Sequence, residues 1–316
     1  MTALHHRRAF GLLATALAAV ALASQASGPV RLRLDEGDRY LFRHTLATET
    51  DVEIPFPQTT KQTMWYTLEQ NVRDVDADTG HATIEVRFRR VVVKVDMGEM
   101  GGFDVDTDDD ASEQSATYRK LIDRPFTMRI SPRGKVTEAK GLTAIVQDVL
   151  EADGPGALNL EQVESIVGDE SMTSMYQSFL PIYPEDATDE WETESTITLP
   201  MMGAAAIRVS WTFGAPGEVG EYATIPMRAT SEILTPSEPT KTSLGFAEME
   251  LRLEEMTSEG VIDISADDGW PVKGEIKSDG TMSMLLTIPG LATPTASDMA
   301  VRSVSIIERL ELPTDE

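Results

Sequence analysis

The chain has 316 residues, of which 53 are acidic and 27 are basic, so its formal net charge is −26 at pH 7. A field of that sign repels nucleic acid and anionic lipid surfaces, which disfavours both as partners. The chain contains no cysteine, which excludes disulfides, cysteine-ligated metal centres and a lipidated N-terminal cysteine.

The first residues have the features of a secretory signal peptide. Basic residues 5–8 precede an apolar run, Phe10–Ala23, that is short for a bilayer crossing, and small residues then offer cleavage after Ala23 or Ala26. We therefore predict that residues 1–26 direct export, by the Sec or the twin-arginine route, and that the protein is periplasmic or secreted. An uncleaved membrane anchor is the alternative. No later apolar run is long enough to form an integral membrane segment.

Residues 27–140 are predicted to form an N-terminal β half. Over Ala82–Phe88 every second residue is apolar, and from Val91 the alternation continues on the odd-numbered residues. The change of phase at Arg89–Arg90 indicates a β-bulge or a bend. Hairpin turns are predicted at Asp76–Gly80 and at Pro132–Gly134, where glycine supplies the positive φ that such turns need.

Residues 141–182 depart from this pattern and are predicted to form a helical insert. Apolar residues recur there at helical spacing in three groups. The groups are Leu142, Ile145, Val146, Val149 and Leu150; Leu160, Val163, Ile166 and Val167; and Met172, Met175, Tyr176, Phe179 and Leu180. Each group makes one apolar stripe, which must pack on a dry surface, and the sheet offers that surface.

Residues 183–316 are predicted to form a C-terminal β half, with hairpin turns at Asp267–Gly269 and Ser278–Gly280. The spacing of Pro, Ile and Gly in Pro125–Gly134 recurs in Pro271–Gly280, and other strand matches recur at similar offsets, which predicts a duplicated β unit. The predicted fold class is α+β and mainly β: one body with a large curved antiparallel sheet from two similar halves, whose central amphipathic helices cover its concave face. The alternative is two β domains joined by a helical linker.

The chain resembles a family of exported bacterial proteins catalogued as a domain of unknown function. The resemblance lies in the order GDRYLF, VRDVDADTGHATIEVRF and RPFTMRISPRGKVTEAKGL, and in the later stretch GVIDISADDGWPVKGEIKSDGTM. It covers most of the chain from Leu32 onward. It implies a β-rich exported protein and brings no established activity or catalytic residue. More loosely, a curved sheet under helices is similar to periplasmic lipoprotein carriers.

Residues with catalytic or metal-binding chemistry lack the spacing of a known site. The acidic run Asp104–Asp110 has Asp109 and Ser115 where an EF-hand loop needs Gly and Glu, so a solvated, flexible loop is the better interpretation. His44 and His81 are interpreted as structural or exposed strand residues. The sequence has no phosphate-binding loop, dinucleotide fingerprint or Gly-x-Ser-x-Gly motif. We therefore predict no cofactor and no metal, and we identify no catalytic residue.

Apolar side chains on the predicted dry faces form the candidate site. Methionine adapts to irregular apolar ligands, although ordinary core packing accounts for the same pattern. The candidate lining residues are Val86, Phe88, Ile145, Val149, Met172, Met175 and Phe179. The sequence favours a non-enzymatic envelope protein that binds an apolar small molecule or an envelope component between sheet and helices. The alternatives are a surface or assembly module without a pocket and, less favoured, a carboxylate-dependent hydrolase.

Overall fold

The structure, a computed structural model, describes residues 30–52, 58–153, 168–186, 188–199, 203–234, 239–243, 248–287 and 293–313. The predicted signal peptide, residues 1–26, and the predicted helix around residues 160–167 lie outside these ranges. Among the residues described, no helix combines the length and the hydropathy needed to cross a membrane.

The described residues are mainly β and form a large open antiparallel sheet of 14 strands. The strands are β1 (Arg39–Val52), β2 (Gln58–Val75), β3 (Ala82–Asp96), β4 (Gly102–Asp106), β5 (Phe126–Ile130), β6 (Val136–Lys140), β7 (Glu190–Leu199), β8 (Gly203–Phe213), β9 (Gly217–Val219), β10 (Tyr222–Ile233), β11 (Thr240–Ser243), β12 (Glu248–Ser265), β13 (Pro271–Thr287) and β14 (Thr295–Leu310). Alternating apolar and charged residues form these strands because one face of the sheet packs on the core and the other meets water.

Three α-helices accompany the sheet in the described part of the chain: α1 (Glu113–Arg119), α2 (Leu142–Asp153) and α3 (Asp169–Phe179). A short 3-10 helix spans Gly98–Met100. The predicted helices that contain Leu142 and Met172 are confirmed as α2 and α3. Helix α1 is not predicted from the sequence, because it follows the acidic run and has no long apolar stripe.

The strand order is β6-β5-β3-β2-β1-β14-β13-β12-β10-β8-β7, with β4, β9 and β11 paired beside this path. The first and last strands, β1 and β14, therefore pair in the middle of the sheet, in a register that runs from Leu41 opposite Leu310 to Val52 opposite Met299. Strands β6 and β7 are the two ends of the order, and helix α3 contacts both of them. The sheet must therefore bend until its two ends approach the same helix.

A β-bulge lies at the predicted position in β3. Thr67 of β2 pairs with Arg90, and the next residue of β2, Leu68, pairs with Phe88, so Arg89 is the extra residue. The bulge shifts the side-chain alternation by one residue, which lets Val91 and Val93 face the core after Phe88. The predicted turns at Asp76–Gly80, Pro132–Gly134 and Asp267–Gly269 are also confirmed.

Two sequence interpretations are wrong. Ser278–Gly280 is not a hairpin turn, because it lies inside β13, where Gly280 pairs with Met256. A Cβ at Gly280 would come within 2.8 Å of the Glu255 carbonyl oxygen, so this glycine permits a close approach between strands. The acidic run is not a flexible loop throughout, because it begins in β4, and Asp106 accepts two hydrogen bonds from the Arg90 guanidinium.

The core divides into two groups of buried side chains. The larger contains Phe42, Phe88, Phe126 and Trp270 and extends to α2 and α3. The smaller group is Leu251, Leu253, Met282 and Met299, near the other end of the long strands β12, β13 and β14. The space between these two groups holds the candidate site.

Candidate functional site

A cavity of about 290 Å³ lies between α3 and the inner face of the sheet. Helix α3, Leu180 and Ile182 form one wall, and strands β1, β2, β7, β8, β10, β12, β13 and β14 form the other. The lining residues are His44, Leu46, Met64, Tyr66, Ser171, Met172, Ser174, Met175, Gln177, Ser178, Leu180, Ile182, Thr193, Ser195, Ile207, Val209, Trp211, Ala229, Ser231, Met256, Ser258, Ile276, Ser278, Ser303 and Ser305. None of them is Lys, Arg, Asp or Glu.

Trp211 lines the cavity from β8, and its indole stacks on that of Trp191, which lies on β7 and is not a lining residue. The ring centroids of Trp191 and Trp211 are 6.2 Å apart. Trp211 Nε1 donates to Thr193 Oγ1 over 3.2 Å, and Trp191 Nε1 donates to the Ile182 carbonyl oxygen over 2.8 Å. Because both indole N–H groups have partners, Trp211 presents an apolar surface to the cavity and the pair has no unsatisfied donor.

A row of four serines crosses the floor of the cavity on consecutive strands. Ser231 pairs with Ser258, Ser258 with Ser278, and Ser278 with Ser303, so the four side chains stand side by side on β10, β12, β13 and β14. The hydroxyls of Ser258 and Ser278 are 2.8 Å apart. The row separates the two apolar groups of the core, because Ile276 packs against the larger group and Met282, further along the same strand, belongs to the smaller.

His44 lines the cavity from β1. Its side chain is only 3% exposed, and its Nε2 lies 2.8 Å from Ser305 Oγ. Its ring packs 5.4 Å from that of Phe179 and 6.3 Å from that of Tyr66. Burial lowers the pKa of His44 to about 4, so the imidazole is neutral near pH 7. Its Nδ1 is buried without a hydrogen-bond partner among the described residues.

The His44–Ser305 contact has the distance of a base and a nucleophile but not the rest of a catalytic site. A general base of this kind is oriented by a third group at its other nitrogen, and Nδ1 of His44 has no such partner in the described structure. No carboxylate lines the cavity. Among the residues described, no group of three or more His, Cys, Asp or Glu could hold a metal ion. The arrangement is suited to apolar contact and hydrogen bonding.

The seven residues predicted to line a ligand site lie in two places. Met172 and Met175 line the cavity, and Phe179 is buried against His44. Val86, Phe88, Ile145 and Val149 are buried in the larger core group and are not part of the cavity wall. The serine row is not evident in the sequence, because its members lie on four different strands and a serine in a strand does not reveal which face it occupies.

The fold and the cavity define a mainly-β protein with one open antiparallel sheet and an apolar cleft beneath a helix. The chain belongs to a family of unknown function (DUF6263), whose family model matches residues 79–271, more than half of the chain. This finding confirms the family resemblance seen in the sequence. None of the curated proteins compared with the chain matches it.

The chain resembles a solved lipid-associated structure at the level of the fold. A structure described as lipid–protein interactions in lipovitellin matches 90% of this chain and 26% of its own, with 8% identity and a TM-score of 0.53. The chain thus spans about a quarter of that lipovitellin chain. DynF from the dynemicin pathway of Micromonospora chersina (89% of this chain, 85% of that chain, 9% identity) has a TM-score of 0.21. Salmonella typhi OmpF in complex with daunomycin (88%, 99%, 6% identity) has a TM-score of 0.20.

Proposed function

We propose that this protein is exported to the bacterial envelope, where it holds an apolar molecule between helix α3 and the sheet. The observation that carries the proposal is the cavity of about 290 Å³, which has aliphatic, aromatic and hydroxyl side chains in its wall and no acidic or basic one. Small-molecule sites are typically concave and mostly apolar, with a few placed polar groups, and this volume is at the lower end of their range.

The similarity to lipovitellin supports the same class of ligand. That structure was described in terms of lipid–protein interactions, and the likeness extends over most of this chain. In our proposal the sheet is curved and built from two similar halves, and α2 and α3 cover its concave face. Contact of α3 with both β6 and β7 supports such a cover. Binding, rather than catalysis, is the proposed role.

A first experiment tests whether the cavity holds a ligand. The protein is purified from the envelope of its own host and weighed by native mass spectrometry, before and after extraction with organic solvent. We expect a mass above that of the polypeptide, which extraction removes. A bare polypeptide in every preparation, together with no uptake of the apolar fluorescent probe N-phenyl-1-naphthylamine, would contradict the proposal.

Two substitutions on β10 test whether the fluorescent probe binds in the cavity. Ala229 lines the cavity and is buried, whereas Ala223 on the same strand is exposed. Ala229→Phe places a ring in the cavity and is expected to reduce probe binding strongly. Ala223→Phe is the control and is expected to leave binding unchanged. Equal binding by both variants would place the probe elsewhere.

The proposed export depends on residues 1–26, which carry the basic and apolar segments of a signal peptide. Fractionation of the host, followed by N-terminal sequencing, tests it. We expect the protein in the periplasm or the medium, beginning after Ala23 or Ala26. A cytoplasmic protein that retains residues 1–26 would contradict export.

A further inference from the structure

We propose that the occupant of the cavity is an uncharged amphiphile whose hydroxyl or carbonyl oxygen is hydrogen-bonded at His44 and Ser305, with its apolar part against α3 and Trp211. The proposal rests on the proposed function, because it names the class of ligand for the same cavity. It requires that a molecule with the same tail and an ionised head bind less well.

The cavity wall is uncharged, which disfavours a charged ligand. About a quarter of the residues of the chain are charged, yet no Lys, Arg, Asp or Glu is among those that line the cavity. An ionised carboxylate, phosphate or ammonium group would leave water without gaining an opposite charge, which is strongly unfavourable. An uncharged head does not meet this penalty.

One ring nitrogen of His44, Nδ1, is buried and lacks a hydrogen-bond partner among the described residues. Buried polar groups nearly always have a hydrogen-bond partner, and Nδ1 of His44 has none in the described protein. The tautomer decides whether Nδ1 is a donor or an acceptor, since Nε2 takes the other role toward Ser305 Oγ, 2.8 Å away. A hydroxyl satisfies Nδ1 in either tautomer, and a carbonyl oxygen satisfies it in one.

The serine row leads along the cavity wall toward His44. Ser303 and Ser305 are inward-facing neighbours on β14, so the polar line that begins at Ser231 continues to His44. Hydroxyls both donate and accept, and they carry no net charge. Apolar side chains border this line on both sides. The cavity thus offers a narrow polar line within an apolar surface, which matches a ligand with a few polar oxygens and an apolar tail.

The test compares three ligands built on a ten-carbon chain, which in decanoate includes the carboxylate carbon. Bound N-phenyl-1-naphthylamine is displaced by 1-decanol, by decanoate at about pH 8, where the carboxylate is ionised, and by decyltrimethylammonium. We expect decanol to displace the probe at a concentration at least about tenfold lower than either ion, the factor that corresponds to about 1.4 kcal/mol. Equal displacement by decanol and decanoate would overturn the proposal, and so would stronger displacement by either ion.

Variants then locate the polar head. His44→Phe keeps a ring between Tyr66 and Phe179 and removes both nitrogens, and it is expected to weaken decanol binding by about three- to tenfold. Ser305→Ala is expected to weaken it in the same direction. Ser210→Ala, on β8 and outside the cavity wall, is the control and should have no effect. Decanol binding that is unchanged in both cavity variants would overturn the assignment of the head.

The outcomes separate this proposal from the one on which it rests. If the polypeptide is bare in every preparation and the wild-type protein does not bind the probe, the proposed function itself fails. If the probe binds and Ala229→Phe blocks it, but charged and uncharged ligands compete equally, the proposed function stands and the ligand class is wrong.

Discussion

At the scale of single residues, Gln70 and Tyr176 form the buried polar contact between β2 and α3. Gln70 Nε2 donates to the Tyr176 hydroxyl over 2.9 Å, and both side chains are at most 1% exposed. Burial raises the pKa of Tyr176, so its hydroxyl stays protonated. Gln70 Oε1 has no hydrogen-bond partner among the described residues. The contact fixes the helix on the sheet while leaving one acceptor unsatisfied.

We expect Tyr176→Phe to lower the free energy of unfolding by about 1–3 kcal/mol, because the amide of Gln70 would remain buried with no partner. The double variant Gln70→Leu, Tyr176→Phe removes both polar groups and should recover much of this loss. Urea denaturation of the single and double variants measures both effects. A double variant less stable than the Tyr176→Phe variant would contradict this account.

Titration of His44 makes the free energy of unfolding depend on pH, and the lowered pKa of His44 fixes the sign of this dependence. The folded protein lowers the pKa of His44 to about 4, whereas an unfolded histidine titrates near pH 6.5. Between these values the unfolded state binds the proton and the folded state does not, so the free energy of unfolding falls as the pH falls. The full window corresponds to about 3 kcal/mol as an order of magnitude.

We therefore expect His44→Phe to show a smaller loss of stability than the wild-type protein when the pH is lowered from about 7 to about 4.5. Chemical denaturation at a series of pH values measures the slope for each protein. Ser278→Ala, on the same cavity wall and without a titratable group, should keep the wild-type slope. Identical slopes for His44→Phe and wild type would show that His44 does not titrate differently on folding.

The sequence predicted the apolar residues of the site better than its polar ones. Met172 and Met175 follow helical spacing, and that periodicity alone shows that they face inward. Ser231, Ser258 and Ser278 come together only because β10, β12 and β13 are neighbours in the sheet. Strand order depends on contacts that are distant in sequence, which local patterns do not encode.

At the scale of elements, the side chain of Gln177 links α3 to the end strand β6. Gln177 Oε1 accepts from the Val136 backbone N–H over 2.9 Å, and its Nε2 donates to the Leu180 carbonyl oxygen over 2.8 Å and to that of Gly134 over 3.3 Å. An end strand with unpaired backbone groups can pair with other chains. The amide of Gln177 occupies one of these groups and joins the helix to the β5–β6 turn.

Gly134, in that turn, is the tightest point of the junction. Its φ is +82°, and a Cβ would come within 2.2 Å of the Pro181 carbonyl oxygen. We expect Gly134→Ala to cost about 1–2 kcal/mol for the backbone conformation, and at least about 1 kcal/mol more for displacing residue 181. Denaturation measures the total.

Gly37→Ala separates the two terms. Gly37 has a φ of +94°, and nothing lies within 4 Å of a Cβ built there, so its substitution carries the backbone cost alone. Gly134→Ala should therefore be the more destabilising change and should also weaken probe binding, because Leu180 and Ile182, on either side of Pro181, line the cavity. Equal losses at the two glycines would show that residue 181 adjusts freely.

Elements were largely predictable from the sequence, and their partners were not. The bulge at Arg89–Arg90, the turns with positive-φ glycines and the helices α2 and α3 follow from local periodicity and turn chemistry. The turn predicted at Ser278–Gly280 failed, because Ser-Asp-Gly also suits a strand in which glycine allows close approach. The proposed duplication used that stretch, and it remains a prediction.

At the scale of the whole molecule, the central pair of strands joins the two ends of the described chain. His44 and Ser305, which are 261 residues apart in sequence, meet because β1 pairs with β14. A partly synthesised chain therefore cannot complete the centre of the sheet until its last strand, β14, is present. Stability of the centre should depend on β14 more than on any local segment near the ends of the strand order.

We expect a chain truncated before Thr295 to lose cooperative unfolding, because removal of β14 (Thr295–Leu310) exposes the backbone of both β1 and β13. A circular permutant supplies the matched control. Leu41 is opposite Leu310, so the end of β14 lies beside the start of β1, and a flexible linker can join residue 313 to residue 30 while Leu32 and Leu34 stay in the chain and in the core. New ends between Ala215 and Pro216 fall in an exposed turn outside the strands.

The permutant should unfold cooperatively and bind the fluorescent probe, because it keeps every strand pair and changes only their connections. Circular dichroism and urea denaturation compare the truncated chain with the permutant directly. A truncated chain that still unfolds cooperatively would show that β1 and β13 tolerate exposed edges. A permutant that fails where the wild type succeeds would show that the order of connection matters as well as the pairing. Success of the permutant alone would establish the β1–β14 pair as the contact on which the sheet, and with it the cavity, depends.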